Sequence, residues 1–298
     1  MTLQPGHSLR TILLTALTMV CFASNSLLAR LALRENEIDG ATYTAVRIFA
    51  AALMLFLVVG ARGRALATLR ENGSWTGAAV FAGYAIVFSF AYVSLSAGVG
   101  ALILFAAVQI TMITVGVIRG ERPRPPEWIG LALALGGLVY LVSPGLAAPS
   151  IYGAALMTLS GVAWACYSLA AKGIRSPIAE TAGNFARGVP LGAAMLLVVW
   201  LVSQPRASWT GLALAVVSGA VTTGLGCAIW YTTLKELTTT QAAIVQLTVP
   251  LIAALAGAAL LGEQLTWRLA ISATVILGGV ALALLGHRLA APSASIGR

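Results

Sequence analysis

The sequence predicts an all-α fold, a polytopic membrane protein with ten transmembrane helices in two inverted five-helix repeats. Three observations carry that prediction. Of 298 residues, 59% are hydrophobic and only 9% charged, with a mean hydropathy of +0.93. Apolar runs of about 20 residues, the length that spans a ~30 Å hydrocarbon core, recur along the chain. A repeat at an offset of 142 residues divides it in two.

Each observation excludes something. A soluble domain carries roughly 25% charged residues, so this chain lacks the charge to cover a soluble surface. Its net charge of +9 is spread through short gaps between apolar runs, whereas a nucleic-acid binder gathers its Lys and Arg on one face. The expected partners are therefore membrane lipid and a small-molecule substrate, with no nucleic acid. Barrel strands alternate in polarity over about 9–11 residues. The continuous runs seen here require helices, which satisfy their own backbone groups in lipid.

The spans in order are 10–33, 41–60, 75–96, 98–118, 127–143, 151–172, 178–202, 209–234, 239–261 and 266–286. The first is long and has no clear small-residue cleavage site, so it reads as a retained span rather than a signal peptide. Cys21, Cys166 and Cys227 all fall within apolar runs and read as small buried hydrophobes. On the side of the N-terminus lie twelve basic residues: Arg10, Arg62, Arg64, Arg70, Arg119, Arg122, Arg124, Lys172, Arg175, Lys235, Arg288 and Arg298. The opposite side has four, Arg30, Arg34, Arg206 and Arg268. The positive-inside rule then puts both termini in the cytoplasm, which suits a multi-pass protein of a plasma membrane, the inner membrane if the source is bacterial.

The repeat sets Val20–Arg30 against Val162–Lys172, Gly120-Glu121 against Gly262-Glu263, and Gly136-Gly137 against Gly278-Gly279. The intramembrane arginines Arg47 and Arg187 match at the nearby offset of 140. The halves are 1–148 and 149–298, each with five spans. An odd number makes the second half enter from the opposite side, and inverted repeats are a signature of secondary transporters with a midplane site between the halves.

The run Gln246-Leu247-Thr248-Val249-Pro250, then Gly262-Glu263-Gln264-Leu265 and Gly278-Gly279, resembles the EamA-type half-repeat of the drug/metabolite transporter superfamily. Its first-half equivalent ends in Gly120-Glu121 and Gly136-Gly137, and the resemblance covers essentially the whole chain. Within that family the chain is most similar to YddG-type exporters of aromatic amino acids. It departs from the pattern at Val108, where a proline opposite Pro250 is expected. The resemblance implies export of aromatic and other neutral amino acids by alternating access. Export of another small neutral metabolite, or a channel, are the alternatives.

Candidate pathway residues come from several spans. Phe81, Tyr84, Phe88 and Tyr92 share one helical face in the third; they form either a packing ridge or a cavity wall for flat apolar groups. Thr18, Phe22 and Asn25 form a stripe on the first span that the repeat maps onto Ser160, Trp164 and Tyr167. The mid-span amides Gln109 and Gln246 suit either a substrate group or a neighbouring helix. Arg187, the deeper intramembrane arginine by these boundaries, either pairs with a substrate carboxylate or bonds carbonyls and snorkels. Pro190 and Pro250 are either conformational hinges or static kinks. Trp75, Trp128, Trp200, Trp209 and Trp267 lie near span ends and read as an interfacial belt.

Acids are as informative as bases. All nine, Glu35, Glu37, Asp39, Glu71, Glu121, Glu127, Glu180, Glu236 and Glu263, fall in connections or at span ends. A proton-coupled carrier or a cation exporter calls for a carboxylate inside the membrane, so gradient-driven export without one is the expectation. Glu121 and Glu263 are placed to cap neighbouring helix N-termini. The chain shows no metal-ligand cluster, no nucleophile beside a base and no phosphate loop, so neither cofactor, metal nor catalysis is expected.

Overall fold

The computed structural model describes residues 9–289 except 62, 64, 121–124, 144, 146–147, 171–173, 175, 238–241 and 243–244. Glu121, Arg62, Arg64, Arg122, Arg124, Lys172, Arg175 and Arg298 thus lie outside the described residues. The helices are α1 (Leu9–Arg34), α2 (Gly40–Gly60), α3 (Ala65–Glu71), α4 (Trp75–Tyr92), α5 (Ala97–Ile118), α6 (Pro125–Val142), α7 (Ile151–Ala170) and α8 (Pro177–Val202). They continue as α9 (Trp209–Thr233), α10 (Thr248–Leu261) and α11 (Trp267–Leu289). Among the described residues the only β feature is an isolated bridge between Ile38 and Ala207. Among the described residues, eight helices, α1, α2 and α4–α9, are long and apolar enough to cross a membrane. Two further apolar stretches follow them, Thr248–Leu261 in α10 and Trp267–Ala283 in α11.

Helix starts follow from local chemistry. Asp39, Ser74, Ser96 and Ser208 each accept backbone N–H bonds of the turn they precede. Gly262, at φ 64°, closes α10 in a left-handed conformation suited to glycine. The span expected over 75–96 ends earlier, at Tyr92. Its terminal carbonyls, those of Tyr92 and Val93, accept from Arg30 Nη1 at 3.2 and 3.1 Å, and Ser96 then starts α5. The connection after α2 also contains the short helix α3, which its length hides from any search for spans.

Helices from both halves build the core: α2 packs on α8 and α9, α4 on α7, α5 on α7 and α10, and α1 on α9 and α10. Helices α6 and α11 pair at the edge. Their crossing is set by Gly130 and Gly279, since a Cβ on Gly279 would lie 2.7 Å from the Gly130 carbonyl oxygen. Gly136 and Gly278 face open space, so only one residue of each expected glycine pair is needed for close approach. Trp75, Trp128, Trp200, Trp209 and Trp267 are all exposed near helix ends, as the belt reading requires. Cys21 and Cys227 are buried, but Cys166 is exposed, because it lies on the face of α7 opposite the one that packs on α4 and α5.

Asp39 ties two connections together at the end of the bundle remote from the α1 N-terminus. Its carboxylate accepts from the backbone N–H groups of Ala41, Thr42 and Arg206 and from the Thr42 hydroxyl, at 2.6–3.0 Å. Burial alone would raise this carboxyl, but the hydrogen bonds from Thr42, Arg206 and Ala41 outweigh it and hold the group below its ordinary value. A lowered value in the folded state makes Asp39 stabilising above the unfolded carboxylate range, near ~4, and that contribution is lost as pH falls through the folded value.

Two predictions follow from these contacts. Gly279→Ala lowers the thermal midpoint of the solubilised protein, at a cost of about 1–3 kcal/mol for overpacking. Gly278→Ala, with nothing near its Cβ, leaves the midpoint unchanged or raises it. Asp39→Ala costs about 1 kcal/mol at neutral pH, and its gap from the unsubstituted protein closes as pH is lowered below about 4.

Candidate functional site

A polar segment inside an apolar helix organises the centre of the bundle. In α9, residues Ser218–Leu225 depart from α-helical winding into a π-helical segment, a form associated with functional sites. The sequence there, Ser-Gly-Ala-Val-Thr-Thr-Gly-Leu, alternates hydroxyls with glycines. Gly219 and Gly224 sit against the α2 backbone at Arg47 and Ala51, with a Cβ on Gly219 falling 2.8 Å from Ala50 Cβ. Close approach presents the hydroxyls to α1 and α2. Tyr43 donates to Ser218 at 2.8 Å, and Ser218 donates to Asn25 Oδ1 at 2.8 Å. The Thr222 hydroxyl lies 3.3 Å from the same oxygen.

Arg47 is drawn into the same arrangement. It is 1% exposed, the largest fully buried side chain among the described residues. Nε donates to Thr223 Oγ1 and Nη2 to the Tyr84 hydroxyl, both at 3.3 Å. The guanidinium lies over the Phe88 ring, 4.6 Å from its centroid, and 5.6 Å from that of Tyr84. Nη1 is buried without a hydrogen-bond partner among the described residues, and Arg47 has no ion pair among them. Among the described residues no three His, Cys, Asp or Glu gather as a metal site would require.

Arg47 borders an internal cavity whose other walls are Phe22, Asn25 and Ser26 of α1, Tyr84 and Phe88 of α4, Leu104 and Phe105 of α5, Trp164 of α7, and Thr222, Thr223 and Cys227 of α9. Both halves of the chain contribute. The volume is about 30 Å³, room for a few waters, against the roughly 300 Å³ or more of a drug-sized ligand's pocket. Rings pack closely around it, with Tyr84 4.9 Å from Trp164 and 5.6 Å from Phe88.

Among the residues singled out from sequence, Phe22, Asn25, Tyr84, Phe88 and Trp164 are brought together on this cavity. Phe81 turns aside and stacks on Phe185 at 3.8 Å. Tyr167 stacks on Trp164 at 5.8 Å and accepts from Asn184. Ser160 donates to the Tyr84 carbonyl, and Thr18 to that of Leu14. Gln109 is buried in α5 away from the lining. Gln246 precedes α10 rather than lying in mid-helix, and donates to the Ala242 carbonyl. Pro190 sits inside an unbroken α8, whereas Pro250 occupies the first turn of α10, where a missing N–H costs nothing.

Arg187 lies off the cavity, bonded to the carbonyls of Leu69, Arg70, Asn72 and Gly183. The buried first turns of α8 pack on α3, α4 and the connection between them, so the Arg187 side chain meets that connection and not the cavity. Ser26, Arg47, Leu104, Phe105, Thr222, Thr223 and Cys227 were not anticipated as lining. The usable signal for α9 was its cluster of hydroxyls and glycines inside an apolar run.

Hydrogen bonds close both ends. At the α1 N-terminal end, Gly73 donates to Glu180 and Ser74 to Asn184, at 2.9 and 2.7 Å, while Thr11 donates to Glu236. At the other, Glu263 accepts from the Ala97 N–H with both oxygens at 2.9–3.0 Å and meets Arg30 at 3.5 Å. Glu263 thereby caps α5, as its position suggested.

Comparison with known proteins adds the following. Residues 9–143 and 151–285 each match the model of the EamA-like transporter family. An uncharacterized Pseudomonas aeruginosa protein, PA1977, is 49% identical over 92% of this chain and 94% of its own. A Salmonella typhimurium protein named a probable amino-acid metabolite efflux pump is 27% identical over 70% of this chain and 74% of its own. The uncharacterized inner membrane transporter YedA of Escherichia coli K12 is 28% identical over 46% of each. A solved protein structure superposes with a TM-score of 0.67 at 19% identity, covering 94% of this chain and 98% of that one; it bears on the fold alone.

Proposed function

The chain belongs to the EamA-like transporter family, and from that premise we propose that it exports amino acids, aromatic and other neutral ones, by alternating access. The observation that carries the reading is the central cavity, where aromatic rings from α1, α4, α5 and α7 surround a single cation at the meeting of the two halves. Flat side chains stack offset or edge-on against such rings. A cation among them suits a carboxylate. A relative named an amino-acid metabolite efflux pump supports the same substrate class, and the YddG-type resemblance favours its aromatic members.

In this reading ten crossings form two inverted units, 1–148 and 149–298, that rock about the cavity with both termini in the cytoplasm. Phe22, Asn25, Tyr84, Phe88 and Trp164 contact substrate. Thr18, Phe81, Ser160 and Tyr167 back that wall, and Gln109, Gln246 and Arg187 hold helices together. Pro190 and Pro250 serve as bends. The tight cavity and the bonded ends correspond to an occluded conformation. Since no acid lies in the middle of a span, export runs down the substrate gradient without a proton.

In proteoliposomes, the protein moves Phe, Tyr and Trp faster than a cationic drug, and collapsing the pH gradient leaves the rate unchanged; strict dependence on that gradient overturns the coupling. Trp164→Ala lowers aromatic flux roughly tenfold, the factor for about 1.4 kcal/mol of lost ring contact. Retained flux in that variant removes Trp164 from the substrate wall.

A further inference from the structure

We propose that Arg47 Nη1 is the anion anchor of the central cavity, and that the preferred ligand is an apolar, flat monocarboxylate carrying a net negative charge. The proposal rests on the transport reading of this cavity and sharpens it from amino acids to the carboxylate as the charged group recognised.

Three features of the site support it. Arg47 is held in place by donation to Thr223 and Tyr84 and by the Phe88 ring beneath it, so the side chain is pre-positioned before anything binds. One of its nitrogens, Nη1, remains buried and unbonded among the described residues. A buried guanidinium N–H without an acceptor is costly, and a carboxylate oxygen is the acceptor that relieves it best.

Charge balance decides the class. Among the described residues the cavity lining contains no Asp or Glu, and every acid in the chain lies in a connection or at a span end. An α-ammonium entering with the carboxylate finds no counter-ion and feels the guanidinium's like charge in a site of low dielectric. The rings of Tyr84, Phe88 and Trp164 already supply the apolar contact. A deaminated acid therefore fits the site better than the corresponding amino acid.

The test uses the full chain in proteoliposomes with matched probes: 3-phenylpropionate, 3-phenylpropionamide and L-phenylalanine, then hexanoate and hexanamide. In the unsubstituted protein 3-phenylpropionate flux exceeds that of its amide by about tenfold or more, the scale of a charge-assisted hydrogen bond, with phenylalanine below 3-phenylpropionate. Arg47→Gln brings acid and amide to within about twofold, and Arg47→Lys restores part of the difference. The comparison in the unsubstituted protein stands even if both variants fail to fold. Equal flux of acid and amide overturns the anchor and leaves the exporter reading intact. A preference for hexanoate over hexanamide without any phenyl flux supports the anchor but overturns the flat ligand class proposed here and the aromatic part of that reading. Thermal stabilisation by chloride as strong as by 3-phenylpropionate overturns the organic ligand class. No flux of any probe overturns both.

Discussion

A buried arginine in a chain with no acid in the middle of its spans shapes the centre of this molecule. Burying Arg47 removes a charge from water, which is expensive unless its donors are met and its charge is balanced. The fold meets part of that demand with a threonine, a tyrosine hydroxyl and the faces of two rings. Each of those partners depends on a further packing decision. Thr223 reaches Arg47 because Gly219 and Gly224 let α9 lie against α2. Tyr84 is held where Ser160 bonds its carbonyl across the α4–α7 contact.

Much of this architecture was legible in the sequence because it rests on patterns that local composition controls. Apolar length located the long helices, though not the short α3. Exposed tryptophans fell at helix ends, and Glu263 was recognisable as a cap from its repeat position. The aromatic stripe on α4 was visible too, but its division was not. Phe81 and Phe88 occupy the same face, and only the position of Phe185 on α8 decides that Phe81 turns from the cavity.

The two arginines show most plainly where sequence reasoning stops. Counting from span boundaries makes Arg187 the deeper of the pair and the natural partner for a substrate. In three dimensions the first turns of α8 pack on the α3–α4 connection, and the Arg187 guanidinium folds onto four carbonyls there and on α8 itself. Arg47 looks shallower in the sequence yet is the more buried. Burial is a property of how neighbouring helices pack, and no single helix encodes it. The departure of α9 from α-helical winding has the same character: hydroxyls and glycines hint at it, but its place is set by the backbone of α2.

That winding has a consequence for what this helix tolerates over time. A π-helical segment accommodates additional backbone within an otherwise regular helix. Loss of one residue between Ser218 and Leu225 would return the segment to ordinary α-helical winding with the helix after it in register, so that Cys227 keeps its place on the cavity and Trp230 its edge contact with Phe22. Loss of one residue from the regular turns on either side would instead rotate everything after it by about 100°. The segment is therefore where α9 tolerates a shorter chain, while Gly219, with no room for a Cβ against the Arg47 carbonyl, is where it tolerates no larger side chain.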